Sequence, residues 1–413
     1  MDRLPHNKPF SRRGLFSAFK HRNFRLFWTG QIISLTGTWM QAVGQGWLVF
    51  KLTNSPFYLG VVGTAGSLPI LFFSLFGGVV ADRINKRILL IMTQVASMFL
   101  ALFLAILTSL GIANVWHVII LATFLGIVNA FDVPGRQSFI IEMVGKEYLL
   151  NAIALNSAAF NGARIIGPAI AGVLIGYLGI AACFYINAIS FVAVIISLLR
   201  MSIPETQDKK IKNLNIRHDL LEGFRFIKSE TNIYYLIALV AITSLFGIPY
   251  ITFMPIYAQD ILKIGPTGLG ILMGFAGVGA FSGAMLLAFR ADIAERGKIV
   301  ATAGITLSVC LIIFSLSKNP VISCLVLIFI GMGMIAEMAT VNSILQILVP
   351  DALRGRVMSV YTLFFLGMTP VGNLLIGILS RHIGTQAAIA SCASICLFVT
   401  IALFWRRKEL WSL

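Results

Sequence analysis

Long apolar stretches separated by short polar segments follow one another along most of the chain. A bilayer core about 30 Å thick needs about 20 apolar residues per helix, and each stretch meets that length. Alternation with a period of two residues is not sustained anywhere, so the pattern predicts helices and excludes an outer-membrane barrel. The stretches, two of them interrupted by one charge each, are residues 26–50, 52–81, 88–131, 148–199, 231–259, 264–289, 299–317, 319–350, 357–380 and 382–405.

Two of these stretches are long enough for two helices each. We expect residues 88–131 to break near 111–114 and residues 148–199 to break at 176–179, which gives twelve membrane-spanning helices. A long polar segment divides the twelve into six and six. The predicted organisation is an all-α membrane protein with a polar segment 1–25, a six-helix bundle 26–199, a linker 200–230, a second six-helix bundle 231–405 and a tail 406–413.

The linker contains an amphipathic pattern between residues 218 and 228. Leu220, Leu221, Phe224 and Ile227 fall on one face of a helix there. Such a helix either lies along the membrane surface or packs on the end of a bundle, and we favour the second interpretation.

The two halves are related by a repeat at a fixed offset of 205 residues. Asp132 falls on Glu337 in this register. Six spans separate the copies, so they keep the same orientation, and parallel repeats of this kind are typical of secondary transporters. The repeat predicts two bundles related by a pseudo-twofold axis. The recurring glycines are Gly126, Gly162, Gly167, Gly172 and Gly179, matched by Gly331, Gly367, Gly372, Gly377 and Gly384.

Composition and charge agree with a membrane location. The chain is 58% hydrophobic and 12% charged, whereas soluble domains carry about 25% charged residues. Soluble enzymes, nucleic-acid modules and secreted disulfide scaffolds are therefore excluded. The net charge of +16 reflects topology: of 32 Lys and Arg, one lies in a span and four lie in the predicted outer loops, leaving 27 on the other side. The positive-inside rule then places both termini in the cytoplasm. The outer four are Lys51, Lys263, Lys318 and Arg381.

The sequence offers no chemistry typical of an enzyme. It lacks the GxxxxGK[ST] loop of nucleotide-driven pumps, any nucleophile–base arrangement and any metal-ligand cluster. The five cysteines all lie in apolar stretches without metal-ligand spacing. We therefore expect no cofactor, metal, nucleotide or nucleic acid.

Three ionisable residues, Asp132, Arg164 and Glu337, fall within predicted spans. Charges in a membrane are costly, so each is a candidate functional residue. A carboxyl group in a dry cavity can carry a proton at neutral pH, and a mid-membrane arginine can hold an anionic substrate group. The alternative is fixed ion pairs: Asp132 with Arg136 or loop arginines, and Glu337 with Arg164. For Asp132 we favour the structural role, because Pro134 and Arg136 suggest a helix end; for Glu337 both interpretations stay open.

The loop after the second span reads GVVADRINKR over residues 78–87. It resembles the G-x-L-A-D-R-x-G-R-K pattern of the major facilitator superfamily, with Asn85 at a glycine position where a left-handed backbone is tolerated. The resemblance implies the major facilitator fold and a gate. In that gate, Asp82 faces the start of helix eleven and the basic residues pair across the two halves. The alternative is ordinary positive-inside residues. The gate residues are Gly78, Asp82, Arg83, Asn85, Lys86 and Arg87.

The fifth span resembles the G-P-x-x-G-G motif of antiporters in the same superfamily. Small residues there allow close helix packing, and a generic packing seam is the alternative. Helix four lacks the arginine of many drug–proton antiporters and ends in NAFDVPGRQ, which resembles the branch of enterobactin exporters and macrolide efflux proteins. The motif residues are Gly162, Gly167, Pro168 and Gly172.

The resemblance implies a cavity lined by helices one, four, seven and ten. Aromatic and amide groups there suit a large, partly polar organic molecule. We expect a proton-coupled exporter of drugs or metabolites, working as a monomer by alternating access in the bacterial cytoplasmic membrane. A dedicated siderophore exporter is the alternative, and an uptake porter or a lipid-handling protein fits less well. The candidate cavity residues are Gln41, Gln45, Asn129, Phe246, Tyr250, Phe253 and Asn342.

Overall fold

The structure, a computed structural model, describes residues 16–202, 216–289 and 295–412, and they are almost entirely helical. Among them, ten helices have the length and composition to cross a membrane, all except α1 and α6. The helices are α1 Arg22–Thr53, α2 Pro56–Arg83, α3 Lys86–Ser109, α4 Val115–Leu178, α5 Ile180–Leu199, α6 Ile216–Ser229, α7 Thr231–Ile261, α8 Gly265–Phe289, α9 Arg296–Leu316, α10 Pro320–Leu348, α11 Asp351–Ile383 and α12 Thr385–Arg406.

Both predicted breaks between helices are confirmed. α3 ends at Ser109 and α4 begins at Val115, after Asn114, whose side chain accepts a hydrogen bond from the His117 backbone N–H at 3.0 Å. This is an N-cap, which satisfies a donor that the first helical turn leaves free. α4 then ends at Leu178, where Gly179 has a φ of 84° that favours glycine.

Helix α4 extends over 64 residues, three times what one bilayer crossing needs. Gly145, with a φ of 70° and non-helical geometry, divides it into two arms, residues 115–144 and 146–178. The expected helix end at Pro134 and Arg136 is wrong, because the first arm continues through both. Proline is tolerated inside membrane helices, where neighbouring groups satisfy the freed backbone.

The loops gather at two opposite faces of the molecule. One face, which we call the Asn54 face, carries Asn54, Thr108, Gly179 and Pro266 around a shared cavity of about 740 Å³. The other, the Asn85 face, carries the α2–α3 turn. There Arg87 donates hydrogen bonds of 2.7 Å to the backbone oxygens of the last α5 residues.

Two helix crossings join α1–α5 to α7–α12. α2 packs on α11 and the second arm of α4 packs on α8. Both are close backbone approaches near the Asn54 face. A Cβ on Gly172 would lie 2.9 Å from the Pro266 carbonyl oxygen, and one on Gly377 would lie 3.3 Å from Gly60 Cα. Small residues allow this proximity.

Toward the Asn85 face the same two crossings separate. Ala154 and Ala158 lie on the side of α4 that carries Gly172, yet both are exposed. Ser74 of α2 and Thr362 of α11 border an open cavity of about 270 Å³ between their helices. These two crossings are therefore tight toward the Asn54 face and wider toward the Asn85 face.

The amphipathic helix α6 packs against α11, as the favoured interpretation of the linker requires. Glu222 forms an ion pair with Arg356 at 2.6 Å, and the Phe224 ring meets Phe364 edge-on with centroids 6.0 Å apart. Ile227 is buried, whereas Leu221 is half exposed. Residues 203–215 of the linker and the side chain of Leu220 lie outside the described residues.

Replacing Gly172 by valine tests the α4–α8 crossing. We expect the free energy of unfolding to fall by about 1–3 kcal/mol, the usual cost of overpacking, because the new side chain meets Pro266 and Gly270. The melting temperature of the purified protein in detergent measures the effect. Gly162→Val in the same arm is the matched control, since a Cβ on Gly162 meets nothing within 4 Å. Equal melting temperatures for the two variants would contradict a tight crossing.

Candidate functional site

The three ionisable residues within the helices occupy different environments. Asp132, in the first arm of α4, accepts hydrogen bonds from Thr93 Oγ1 at 2.8 Å and Gln94 Nε2 at 2.9 Å, both on α3. Its other carboxylate oxygen lies 3.4 Å from Arg136 Nη2, one helical turn away. This carboxylate is satisfied on every side, which matches its expected structural role.

Glu337 is a fully buried carboxyl group on α10. Thr243 Oγ1 of α7 donates a 2.7 Å hydrogen bond to its Oε1. Its Oε2 has no partner among the described residues, and no described cation forms an ion pair with it. Gly304 of α9 leaves the space for this oxygen, since a Cβ there would lie 3.2 Å from Oε2. Glu337 is therefore held by one neutral hydroxyl group and carries no counter-charge.

Arg164, in the second arm of α4, has only 7% of its surface exposed. Its guanidinium lies over the ring of Trp39 on α1, 5.7 Å from the centroid, a cation–π contact. Among the described residues no carboxylate forms an ion pair with it, so the Glu337–Arg164 pair, one of the two interpretations left open, is not formed in this structure. Pro168 has no N–H to bond the Arg164 carbonyl, and that oxygen lies against Gly277 of α8.

The gate loop is held by contacts inside α1–α5. Asn85 Oδ1 accepts from the backbone N–H groups of Arg87 and Ile88 at 3.0 and 3.4 Å, so this residue caps α3. Its φ of −54° shows that the turn does not use the left-handed conformation that asparagine tolerates. Lys86 Nζ binds Glu142 at 2.5 Å at the end of the first α4 arm.

The resemblance implied pairing across the two halves for the basic residues of this loop. Here Lys86 and Arg87 bind within α3–α5, and Arg83 is exposed. Gly78 has open space at its Cβ position. The side chain of Asp82 lies outside the described part of the structure, and its gate role stays a prediction.

The antiporter-like motif faces two different helices. A Cβ on Gly167 would meet Thr36 of α1 at 2.8 Å, whereas Gly172 and Pro168 border Gly270 of α8. Gly162 meets nothing. The motif thus places the second α4 arm between α1 and α8. In this structure its small residues serve helix packing.

A cavity of about 210 Å³ lies where α1, α2, α7 and α8 meet. Gln45 is its main polar side chain from α1, and Thr252 contributes from α7. Thr252 Oγ1 also donates to Asn373 Oδ1 of α11 at 2.8 Å. Apolar and aromatic residues form most of the wall: Trp39, Val43, Leu59, Ile251, Pro255 and Met273.

Of the seven predicted cavity residues, Gln45 lines this cavity. Gln41 faces α5 instead, where its Oε1 accepts from Asn187 Nδ2 at 2.6 Å. Tyr250 and Phe253 are fully buried in the apolar core, against which Phe246 packs. Asn129 and Asn342 are half-buried, and Asn342 accepts from Gln346 at 2.6 Å. Substrate contact by these residues stays a prediction.

Sequence reasoning missed the groups that surround the charges. Thr93 and Gln94 bind Asp132, Thr243 binds Glu337, and Trp39 lies under Arg164. Hydroxyl and amide residues inside apolar stretches were the available signal for the first three. The partner assignments needed the rotation of each helix.

Neutralising the two acids is expected to affect stability differently. Asp132→Asn removes the ion pair with Arg136 and one acceptor, at a cost of about 1–3 kcal/mol. Glu337→Gln keeps an acceptor for Thr243 and removes an uncompensated charge, so stability should be unchanged or higher. Melting temperatures of both variants in one detergent at neutral pH measure this. Similar destabilisation by both would show that Glu337 has a charged partner.

Comparisons with known proteins agree with this geometry. A family model described as "Transmembrane secretion effector", MFS_3, matches residues 13–410. The staphyloferrin A transporter of Staphylococcus aureus is 24% identical over 94% of this chain and 96% of its own length. The multidrug efflux pump Tap of Mycolicibacterium fortuitum is 27% identical over 90% and 92%.

A solved structure shares the fold at low identity. A bacterial homologue of the human lysosomal transporter Spinster, inward-facing and unoccupied, aligns with a TM-score of 0.74 and 12% identity over 94% of this chain and 98% of that one. The family model covers far more than half of the chain. The chain therefore belongs to the MFS_3 family of the major facilitator superfamily, whose relatives named above are efflux and siderophore transporters.

Proposed function

We propose that this transporter exports a small organic molecule by proton-coupled alternating access. Family membership makes it a transporter of small molecules; direction and coupling are our proposal. The observation that carries it is Glu337, fully buried with one oxygen unpartnered and no described cation paired with it. A carboxyl group in such a place can be neutralised by a proton, which makes it a suitable coupling residue.

We further propose twelve spans in two six-helix bundles with a pseudo-twofold repeat. The two arms of α4 count as two spans, and α1, with 32 residues, is long enough for one. Residues 205 apart make corresponding contacts. Gly167 approaches α1 and Gly372 approaches α7, while Gly172 approaches α8 and Gly377 approaches α2. These matched pairs support the repeat.

The basic residues orient the transporter with the Asn85 face and both termini in the cytoplasm of a bacterial cell. The side on which the two crossings widen then faces inward, as needed to load a substrate for export. Outward opening requires the α2–α11 and α4–α8 contacts to separate at the Asn54 face. The exposed Arg83 and the neighbouring gate loop are available to close the Asn85 face.

Helix α7 offers a physical route from Glu337 to the cavity. Its residues Thr243–Gly247 form a π-turn and Ile248–Phe253 a 3₁₀ segment. Thr243 binds Glu337, and Ile251, Thr252 and Pro255 line the cavity. Such irregular turns often mark functional positions. A proton on Glu337 changes what Thr243 binds and thereby biases α7 between two arrangements, which is how a ligand shifts a conformational balance.

The relatives favour two substrate classes. Tap is a multidrug efflux pump, and the Staphylococcus aureus relative is a staphyloferrin A transporter. Broad drug efflux and dedicated siderophore export are therefore the two candidates within this mechanism. We expect neither nucleotide nor cofactor to be required, and a monomer to suffice.

A deletion strain compared with its parent separates the two candidates. Lower resistance to several unrelated compounds indicates drug efflux, and an iron chelator retained in the cells indicates siderophore export. Growth inhibition assays and analysis of the medium and cell extracts provide the measurements. A strain unchanged in both would contradict an export function.

Reconstitution tests the coupling residue with the compound identified in that strain. We expect Glu337→Gln to abolish movement driven by an imposed pH gradient, because the amide cannot exchange a proton, while binding of the compound is retained. Asp260→Asn is the matched control, since Asp260 is an exposed carboxylate that borders the cavity at the Asn54 face. If the Glu337→Gln variant transported the compound at the wild-type rate under the same pH gradient, Glu337 would be removed from the mechanism.

A further inference from the structure

We propose that Arg164, Trp39 and Tyr250 form a binding site for an organic anion that carries a carboxylate on an apolar body. The inference rests on the proposed function, because it assigns a substrate class to the same transporter. Among the described residues, Glu337 and Arg164 both lack an ion-pair partner, and Arg164 lies over Trp39, which lines the cavity.

The two charges differ in how they can be compensated. A buried carboxylate becomes neutral when it takes up a proton, but a guanidinium stays protonated in proteins. Arg164 is almost fully buried and has only the Trp39 ring beneath it. No described carboxylate forms an ion pair with Arg164, and Asp132 is already paired with Arg136. Arg164 therefore has no counter-anion among the described residues.

A second buried polar group among the described helices also lacks a partner. The Tyr250 hydroxyl of α7 is fully buried and has no hydrogen-bond partner among the described residues. A buried hydroxyl without a partner is costly, and an anion beside Arg164 provides an acceptor for it.

The surroundings define the rest of the ligand. Trp39, over which the guanidinium lies, is also a wall of the cavity between α1, α2, α7 and α8. Val43, Leu59 and Met273 make that wall largely apolar. A guanidinium binds a carboxylate through two parallel hydrogen bonds, and an aromatic or aliphatic body then fits the cavity.

Equilibrium binding of radiolabelled 2-naphthoate to the purified transporter tests the proposal, with 2-naphthamide as the neutral match. The wild-type protein should bind 2-naphthoate roughly tenfold more tightly than 2-naphthamide, the order expected of a hydrogen bond to a charged group. Arg164→Gln should remove this preference and Arg164→Lys should keep part of it. Lys263→Gln, at an exposed lysine on the Asn54 face, should leave it unchanged. Equal binding of acid and amide by wild type, no binding of the acid, or an unchanged preference in Arg164→Gln overturns the proposal.

Fluorescence quenching keeps the test decisive if Arg164→Gln folds poorly. The fluorescence of Trp39 is obtained as the difference between the wild-type and Trp39→Phe signals. Quenching by iodide, an anion, is compared with quenching by acrylamide, which is neutral. Saturating 2-naphthoate should protect Trp39 from iodide in the wild type, and Tyr250→Phe should weaken that protection severalfold. Protection by 2-naphthamide to the same extent would overturn the proposal. Neither measurement involves transport, so a transporter that fails to couple to protons leaves this result unaffected.

Discussion

A charge buried among these helices must be compensated by groups within reach of its own atoms, because neither lipid nor packed side chains can hydrate it. The three intramembrane charges meet this constraint in three ways. Asp132 accepts hydrogen bonds from two side chains of α3 and forms an ion pair with a cation of its own helix, α4. Glu337 has one hydroxyl donor, and Arg164 has one aromatic ring. Asp132 has its partners without a ligand. Among the described residues, Glu337 has no cation partner and Arg164 has no anion partner.

The glycine contacts determine which parts of the molecule can move against each other. At the Asn54 face, backbone meets backbone at Gly172 and Gly377. One hydroxyl group bridges each crossing: Thr267 Oγ1 donates to the Gly172 carbonyl at 3.3 Å, and Thr64 Oγ1 donates to the Pro370 carbonyl at 2.8 Å. Such contacts have few interlocking groups to disengage, so a small rotation separates them. At the Asn85 face, by contrast, the described contacts of Lys86 and Arg87 stay within α3–α5.

Hydrophobic patterning predicted where helices lie but not which way they face. Breaks at residues 111–114 and 176–179 were predictable because polar and glycine residues interrupt apolar runs. The helix end at Pro134 was wrong because proline is tolerated within a membrane helix. Gln41 was expected in the cavity yet binds Asn187 on α5. In water one apolar stripe marks the buried side of a helix, whereas a helix between lipid and protein is apolar on both sides, so its rotation leaves no trace in hydropathy.

The π-turn at Thr243–Gly247 has a consequence for how this chain tolerates change in length. A π-turn holds one residue more than a regular helical turn, and each residue rotates a helix by about 100°. Deleting the extra residue of this turn would convert it to ordinary helix. The rest of α7 would then keep its present orientation. A deletion a few positions later would turn Ile251, Thr252 and Pro255 away from the cavity. Between Thr243 and the cavity residues of α7, the π-turn is therefore the segment in which a one-residue deletion can keep their orientation.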